Sequence, residues 1–112
     1  MKEQIEFSDW DKLDLVVGQI KKVENHPNAD KLYVLEVDLG EDSTRTIIAG
    51  IKPFYEKEEL ENKKSIFIAN LKPIKLRGVE SNGMILAASD KEKTKVVFLS
   101  PEKDLEVGSR VS

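Results

Sequence analysis

Residues 31–40 alternate most regularly along the chain. Tyr33, Leu35, Val37 and Leu39 are apolar, while Val34, Glu36 and Asp38 between them are mostly polar. A period of two sends the first set to one face, which predicts a strand with one buried side and one largely wet side. Residues 15–20 predict an earlier strand, in which Leu15 and Val17 alternate and Gly18 slips the parity before Ile20, as a β-bulge does. A hairpin turn over 40–43 leads into a third strand, 44–50. Further strands are predicted over 65–71, 84–88 and 95–99, with a short one over 107–111. Two segments read as helix instead. Residues 8–14 offer Ser8 as a cap, with Asp9 and Asp11 at the positive end of the dipole. Residues 53–62 hold four Glu, Lys57 and Leu60, with Pro53 suited to a first turn and Asn62 to a left-handed exit.

Three strands, a short helix and two strands is the order of an OB-fold, an all-β, five-stranded Greek-key barrel. Ile66, Phe67, Ile68 and Ala69 are apolar on both faces, which suits a strand filling a barrel on one side and meeting a helix or partner on the other. The 112 residues fit one domain, with the barrel over about 14–88 and an extension over 89–112.

Composition narrows the chemistry. There is no Cys, and His26 is the only His. Thiolate zinc sites and thiol nucleophiles are therefore excluded, and neither a metal nor a cofactor is expected. His26 stands in the turn 26–30 beside Pro27, and is read as a turn residue without a catalytic role. No stretch reaches the ~18 apolar residues of a membrane span, and the first residues lack a signal-peptide core. A soluble, cytoplasmic protein with no membrane partner is the expectation.

Charge is unevenly placed. The chain carries a net charge of −3, yet residues 63–82 hold Lys63, Lys64, Lys72, Lys75 and Arg77 against Glu80 alone. That window is +4 within a remainder of −7. A cationic connection between two buried strands on an acidic body has the layout of an anion-binding face, although a charge run is more often only solvated surface.

Four blocks make the reading specific: His26-Pro-Asn-Ala-Asp-Lys-Leu32, Ile48-Ala-Gly50, Ala69-Asn-Leu-Lys-Pro73 and Leu76-Arg-Gly-Val-Glu-Ser-Asn-Gly-Met84. In this order they resemble the tRNA-binding domain family, the OB-fold module appended to many methionyl-tRNA synthetases and found also as free-standing proteins. The resemblance runs from about Trp10 to Val111. It implies a non-catalytic module that binds folded tRNA by shape and phosphate backbone, with a methionyl-tRNA synthetase as a further partner. It also implies tRNA contacts at Asn70, Lys72, Lys75, Arg77, Ser81 and Met84. Gly78 and Gly83 would let the loop backbone approach the ligand.

Each residue type suits that task. Arg offers a planar fork to phosphate oxygens, Lys a point charge, and Asn and Ser reach backbone or ribose hydroxyls. Structural readings stand beside these. Asn70 and Ser81 also fit as caps of loop amides, and the structural reading is preferred for Met84 as barrel core and for the two glycines as turn residues. A homodimer is expected as in free-standing members, with Trp10, Leu13, Val97, Phe98 and Leu99 as its seam. The competing function is polypeptide binding, as in a chaperone branch of the same family, which an exposed apolar groove would favour.

Overall fold

The computed structural model describes all 112 residues. One turn of helix, α1 (Phe7–Trp10), precedes β1 (Leu15–Asn25), β2 (Tyr33–Asp38) and β3 (Arg45–Ala49). A second helical turn, α2 (Lys57–Leu60), precedes β4 (Lys64–Ile68), and five short strands follow. These are β5 (Ile74–Leu76), β6 (Val79–Ser81), β7 (Met84–Ile85), β8 (Ala87–Ser89) and β9 (Val96–Phe98).

The main sheet is antiparallel in the order β3-β2-β1-β4-β7. It curls until β3 meets the far edge, where the Asn82 amide donates to the Thr46 carbonyl at 2.8 Å. That closure gives the five-stranded OB-fold barrel with a helix between its third and fourth strands. Tyr33, Leu35, Val37 and Leu39 all point inward, as their alternation requires, and meet Ile20, Ile47, Phe67 and Ile85 in one cluster.

Several expectations are corrected. The bulge in β1 lies between Ile20 and Lys22, where the pairing with β2 shifts register, and not at Gly18. Gly18 has a packing role instead. A Cβ there would sit 2.6 Å from Leu39 Cδ2 and 2.7 Å from Phe67 Cδ1, inside van der Waals contact. α1 begins one residue before Ser8, with Glu6 at the cap position and no side-chain cap bond. It stops at Trp10, and Asp9 pairs with Lys12 at 3.1 Å.

The segment 53–62 is helical only over α2. Residues 50–54 form turns that bury Ile51, and the Tyr33 hydroxyl fixes the Tyr55 carbonyl at 2.7 Å. Glu56 and Glu59 then form a reciprocal capping box, so the helix starts there and not at Pro53. Asn62 does take the left-handed conformation, with φ 65°.

β8 and β9 form a separate hairpin tied to β4 through Leu99, whose carbonyl accepts from the Ile66 amide and the Ser65 hydroxyl. The tail then returns along β1. Gly108 and Val111 donate to the Val17 and Leu15 carbonyls, and Val17 donates to the Ser109 carbonyl. An ion pair between Arg110 and Asp14 lies at the same edge.

Candidate nucleic-acid interface

The connection between β4 and β7 is a β-hairpin, not an irregular loop. β5 and β6 pair Ile74 with Ser81, Lys75 with Glu80 and Leu76 with Val79, leaving Arg77-Gly78 as a two-residue turn. Both turn residues have positive φ, 52° and 91°. This is the sense of turn that matches strand twist, and its first position ordinarily goes to Asn, Asp or Gly. An Arg there costs about 1–2 kcal/mol of backbone strain.

Alternation along the hairpin separates two faces. Leu76, Val79 and Ser81 face the barrel and are partly or wholly buried, whereas Lys75 and Glu80 face outward and are exposed. Lys72, Lys75 and Arg77 are all exposed, and none lies within ion-pair distance of a carboxylate. Three cations without an ion-pair partner thus stand on this connection, Lys75 and Arg77 on the hairpin and Lys72 on the segment leading into it. The other two cations of the window lie elsewhere. Lys64 is held by Asp104 at 2.7 Å and by the Leu105 carbonyl at 2.6 Å. Lys63 lines a groove with Glu58 and Glu59.

The remaining site residues divide. Ser81 is 3% exposed; its hydroxyl accepts from the Ile48 amide at 2.9 Å and donates to the Gly83 carbonyl at 3.1 Å. It fastens the hairpin to β3, and its polar atom is not on the surface. Ser81→Ala should therefore cost roughly 1–3 kcal/mol in denaturant unfolding, because it leaves a buried N–H unpaired. A change below 0.5 kcal/mol would contradict that role. Asn70 is exposed, but its amide bridges inward: Oδ1 accepts from the Asp14 amide at 2.8 Å and Nδ2 donates to the Lys12 carbonyl at 2.6 Å.

Met84 goes the other way. Preferred as barrel core from the sequence, it is 50% exposed at the sheet edge beside the hairpin. Gly83 has φ 124°, and a Cβ there would come within 3.0 Å of the Ile68 carbonyl oxygen, so it is a turn requirement. A Cβ at Gly78 would meet only Asn28 Nδ2, at an ordinary contact distance of 3.8 Å, so this glycine is needed for its φ and not for space.

Two features escaped the sequence reading. The turn 26–30 packs on the hairpin tip: His26 Nε2 donates to the Leu76 carbonyl at 2.9 Å, and Arg77 Nε and Nη2 donate to the Asn28 carbonyl at 3.3 and 3.2 Å. Arg45 forks onto Glu41 through two 2.8 Å bonds and reaches the Ala69 carbonyl at 2.6 Å, bracing the start of the connection. That hydrogen bonding holds the Glu41 carboxyl below the usual glutamate range. Nothing in the spacing of the turn 26–30 and the hairpin tip signals that contact. Glu41 and Arg45, four residues apart around a turn, carried a faint hint.

The outer face of β2 and β3 is unsuited to stacking bases. Glu36 accepts from the hydroxyls of Thr44 and Thr46 there, at 3.0 and 2.6 Å, and no aromatic side chain accompanies it. Of the seven aromatics only Phe7 is widely exposed, and it lies on α1.

An OB-fold barrel whose fourth and fifth barrel strands (β4 and β7) are joined by a braced cationic hairpin has the form of a nucleic-acid-binding module. The family model for a putative tRNA binding domain matches residues 15–110, and the chain belongs to that family. It is 54% identical over 109 residues to the methionine–tRNA ligase of Pyrococcus horikoshii, covering 97% of this chain and 15% of that enzyme. The chain thus spans only a small part of the length of such relatives. Among solved structures it superposes on a MetRS-related protein from Pyrococcus horikoshii with TM-score 0.91 and 40% identity, covering 99% and 100% of the two chains. The chaperone CsaA of Bacillus anthracis gives TM-score 0.87 at 27% identity, covering 98% and 100%.

Proposed function

We propose that this chain is a non-catalytic module that holds folded tRNA by its phosphate backbone in the service of methionyl-tRNA synthetase. The observation that carries this reading is the set of three cations without ion-pair partners, Lys75 and Arg77 on the β5–β6 hairpin and Lys72 on the segment leading into it, in a tRNA-binding-family barrel. Backbone contacts position a nucleic acid without reading its sequence, so different tRNAs should bind with similar affinity. With no aromatic platform on the binding loops, unpaired bases gain little here. Titration by fluorescence anisotropy should show tRNA binding more tightly than a single-stranded oligonucleotide of equal length. Equal affinities would overturn recognition by shape. The work of a synthetase accessory is cytoplasmic, and that is the compartment proposed.

The chaperone reading is less well supported. The groove between α2 and the C-terminal extension is lined by 14 residues, of which only Tyr55, Val97 and Phe98 are apolar. Charged side chains such as Glu58, Lys63 and Asp104 dominate it, and this is a poor trough for an apolar peptide.

The same proposal includes a homodimer. Ile5, Phe7 and Leu13 stand exposed around α1, and Val97 and Leu99 on the β8–β9 hairpin are 53% and 40% exposed. The Asp14 carbonyl accepts from the Ala69 amide on the β1 side of β4, and the Leu99 carbonyl accepts from the Ile66 amide on its β7 side, so the two segments flank that strand. Trp10 is half-buried, and Phe98 turns inward with its ring 5.1 Å from that of Tyr55. The seam is therefore drawn with Leu13, Val97 and Leu99, and with Phe98 as their support. Sedimentation equilibrium at micromolar concentration should return twice 12.7 kDa. Only the monomer mass would refute the dimer.

A further inference from the structure

We infer that His26 and Asn28 are positioning residues for Arg77: they anchor one edge of its guanidinium so that the opposite edge is presented to a phosphate. This rests on the tRNA-binding reading above and assigns to the turn 26–30 a task within it.

The connection is made by atoms almost fifty residues apart in the chain. His26 is only 5% exposed, so it is no direct contact for a ligand. Its partners settle its state. The Leu76 carbonyl can only accept, so Nε2 carries the proton, while Nδ1 accepts from the Asn28 amide at 3.0 Å. The ring thereby fixes both the end of β5 and the backbone of Asn28. Asn28 then exchanges bonds with the tip. Its carbonyl receives Arg77 Nε and Nη2, and its side-chain Nδ2 donates to the Arg77 carbonyl at 3.3 Å.

A guanidinium has five N–H groups. Two are engaged by the Asn28 carbonyl, and Nη1 has no partner. The free N–H groups of Nη1 and Nη2 lie side by side as a fork, the geometry that fits two oxygens of one phosphate. An exposed Arg ordinarily loses rotamer freedom when it binds. Here that ordering is done before the ligand arrives, which is how preorganisation raises affinity without adding a contact. The left-handed backbone of Arg77 is consistent with a side chain held in place by its surroundings.

Preorganisation and charge separate experimentally. Asn28→Ala keeps the Arg77 charge and the main-chain carbonyl at position 28, but removes the Nδ2 bond to the Arg77 carbonyl that holds that carbonyl in register with the guanidinium. It should weaken tRNA binding roughly three- to tenfold, the cost of ordering one long side chain. The slope of log K on log[salt] should stay as in the parent, because the same phosphates are neutralised. Arg77→Ala should flatten that slope by about one contact. Asn28→Ala placed in the Arg77→Ala background should then have no further effect. A merely structural role for Asn28 would persist there, since its Nδ2 still reaches the backbone carbonyl of residue 77. Multiplying effects in the double variant, or unchanged affinity for Asn28→Ala alone with Arg77→Ala still weakened, would overturn the inference and leave the binding mode standing. If Arg77→Ala binds as the parent does, the binding mode falls and this inference with it. Thermal unfolding of each variant guards against loss of the fold, and His26→Gln repeats the test from the other end of the relay.

Discussion

The variant Lys72→Gln, Lys75→Gln, Arg77→Asn will bind tRNA at least about a hundredfold more weakly than the parent while unfolding at the same temperature or higher. Each charge-assisted contact to phosphate contributes roughly 1–3 kcal/mol, and none of the three cations lies within ion-pair distance of a carboxylate. The salt dependence should change with them. Three neutralised phosphates give a slope near −2 to −3, so the parent should lose roughly 20- to 60-fold between 50 and 200 mM salt. The variant should be nearly flat by comparison. Stability argues from the opposite direction. Asn is favoured where Arg77 stands in the turn, with φ 52°, so Arg77→Asn relieves backbone strain as it removes the charge. Binding and stability should thus move oppositely at this one residue. If affinity and salt slope both survive the triple replacement, the hairpin cations are solvated surface and the tRNA lies elsewhere.

The barrel was legible where periodicity and burial agree. β2 could be read from Tyr33, Leu35, Val37 and Leu39 because one face of it is core and the other is wet. α2 was over-read. Lys and Glu at 56–61 favour helix, but Ile51 and Tyr55 are claimed by the barrel, and that packing overrides propensity over 53–56. The hairpin was missed as a hairpin because its arms are three residues long and its turn begins with Arg. Its cations were found by charge counting all the same. Counting could not tell Lys64, committed to Asp104, from Lys72 and Lys75, which are unpaired. Nor could it tell that Ser81 faces in and Met84 out. Those two sit three residues apart, an odd separation that puts them on opposite faces, with Ser81, Gly83 and Ile85 buried and Met84 exposed. Without a strand read across 79–83 there was no phase from which to count.

Phe67→Ala should destabilise the barrel by about 3–5 kcal/mol, enough to approach unfolding in a domain of ordinary stability. Phe67 is the largest fully buried side chain and stands on β4 between β1 and β7, so its loss leaves a cavity that three strands border. The neighbouring Gly18 makes the prediction sharper. Gly18→Ala alone forces a methyl to within 2.7 Å of the Phe67 ring and 2.6 Å of Leu39 Cδ2, and should cost roughly 1–3 kcal/mol by overpacking. In the Phe67→Ala background the ring is gone, and only the flexible end of Leu39 must move aside. The added methyl then falls partly into the cavity, and the loss of a glycine also restricts the unfolded chain, by about 0.4–1 kcal/mol. The double variant should accordingly be no less stable than Phe67→Ala alone, with a coupling of at least about 1 kcal/mol between the two sites. Urea denaturation of the four proteins measures that coupling directly. Strict additivity would mean that Gly18 is required for some reason other than the ring of Phe67, and would send the explanation back to the backbone of β1.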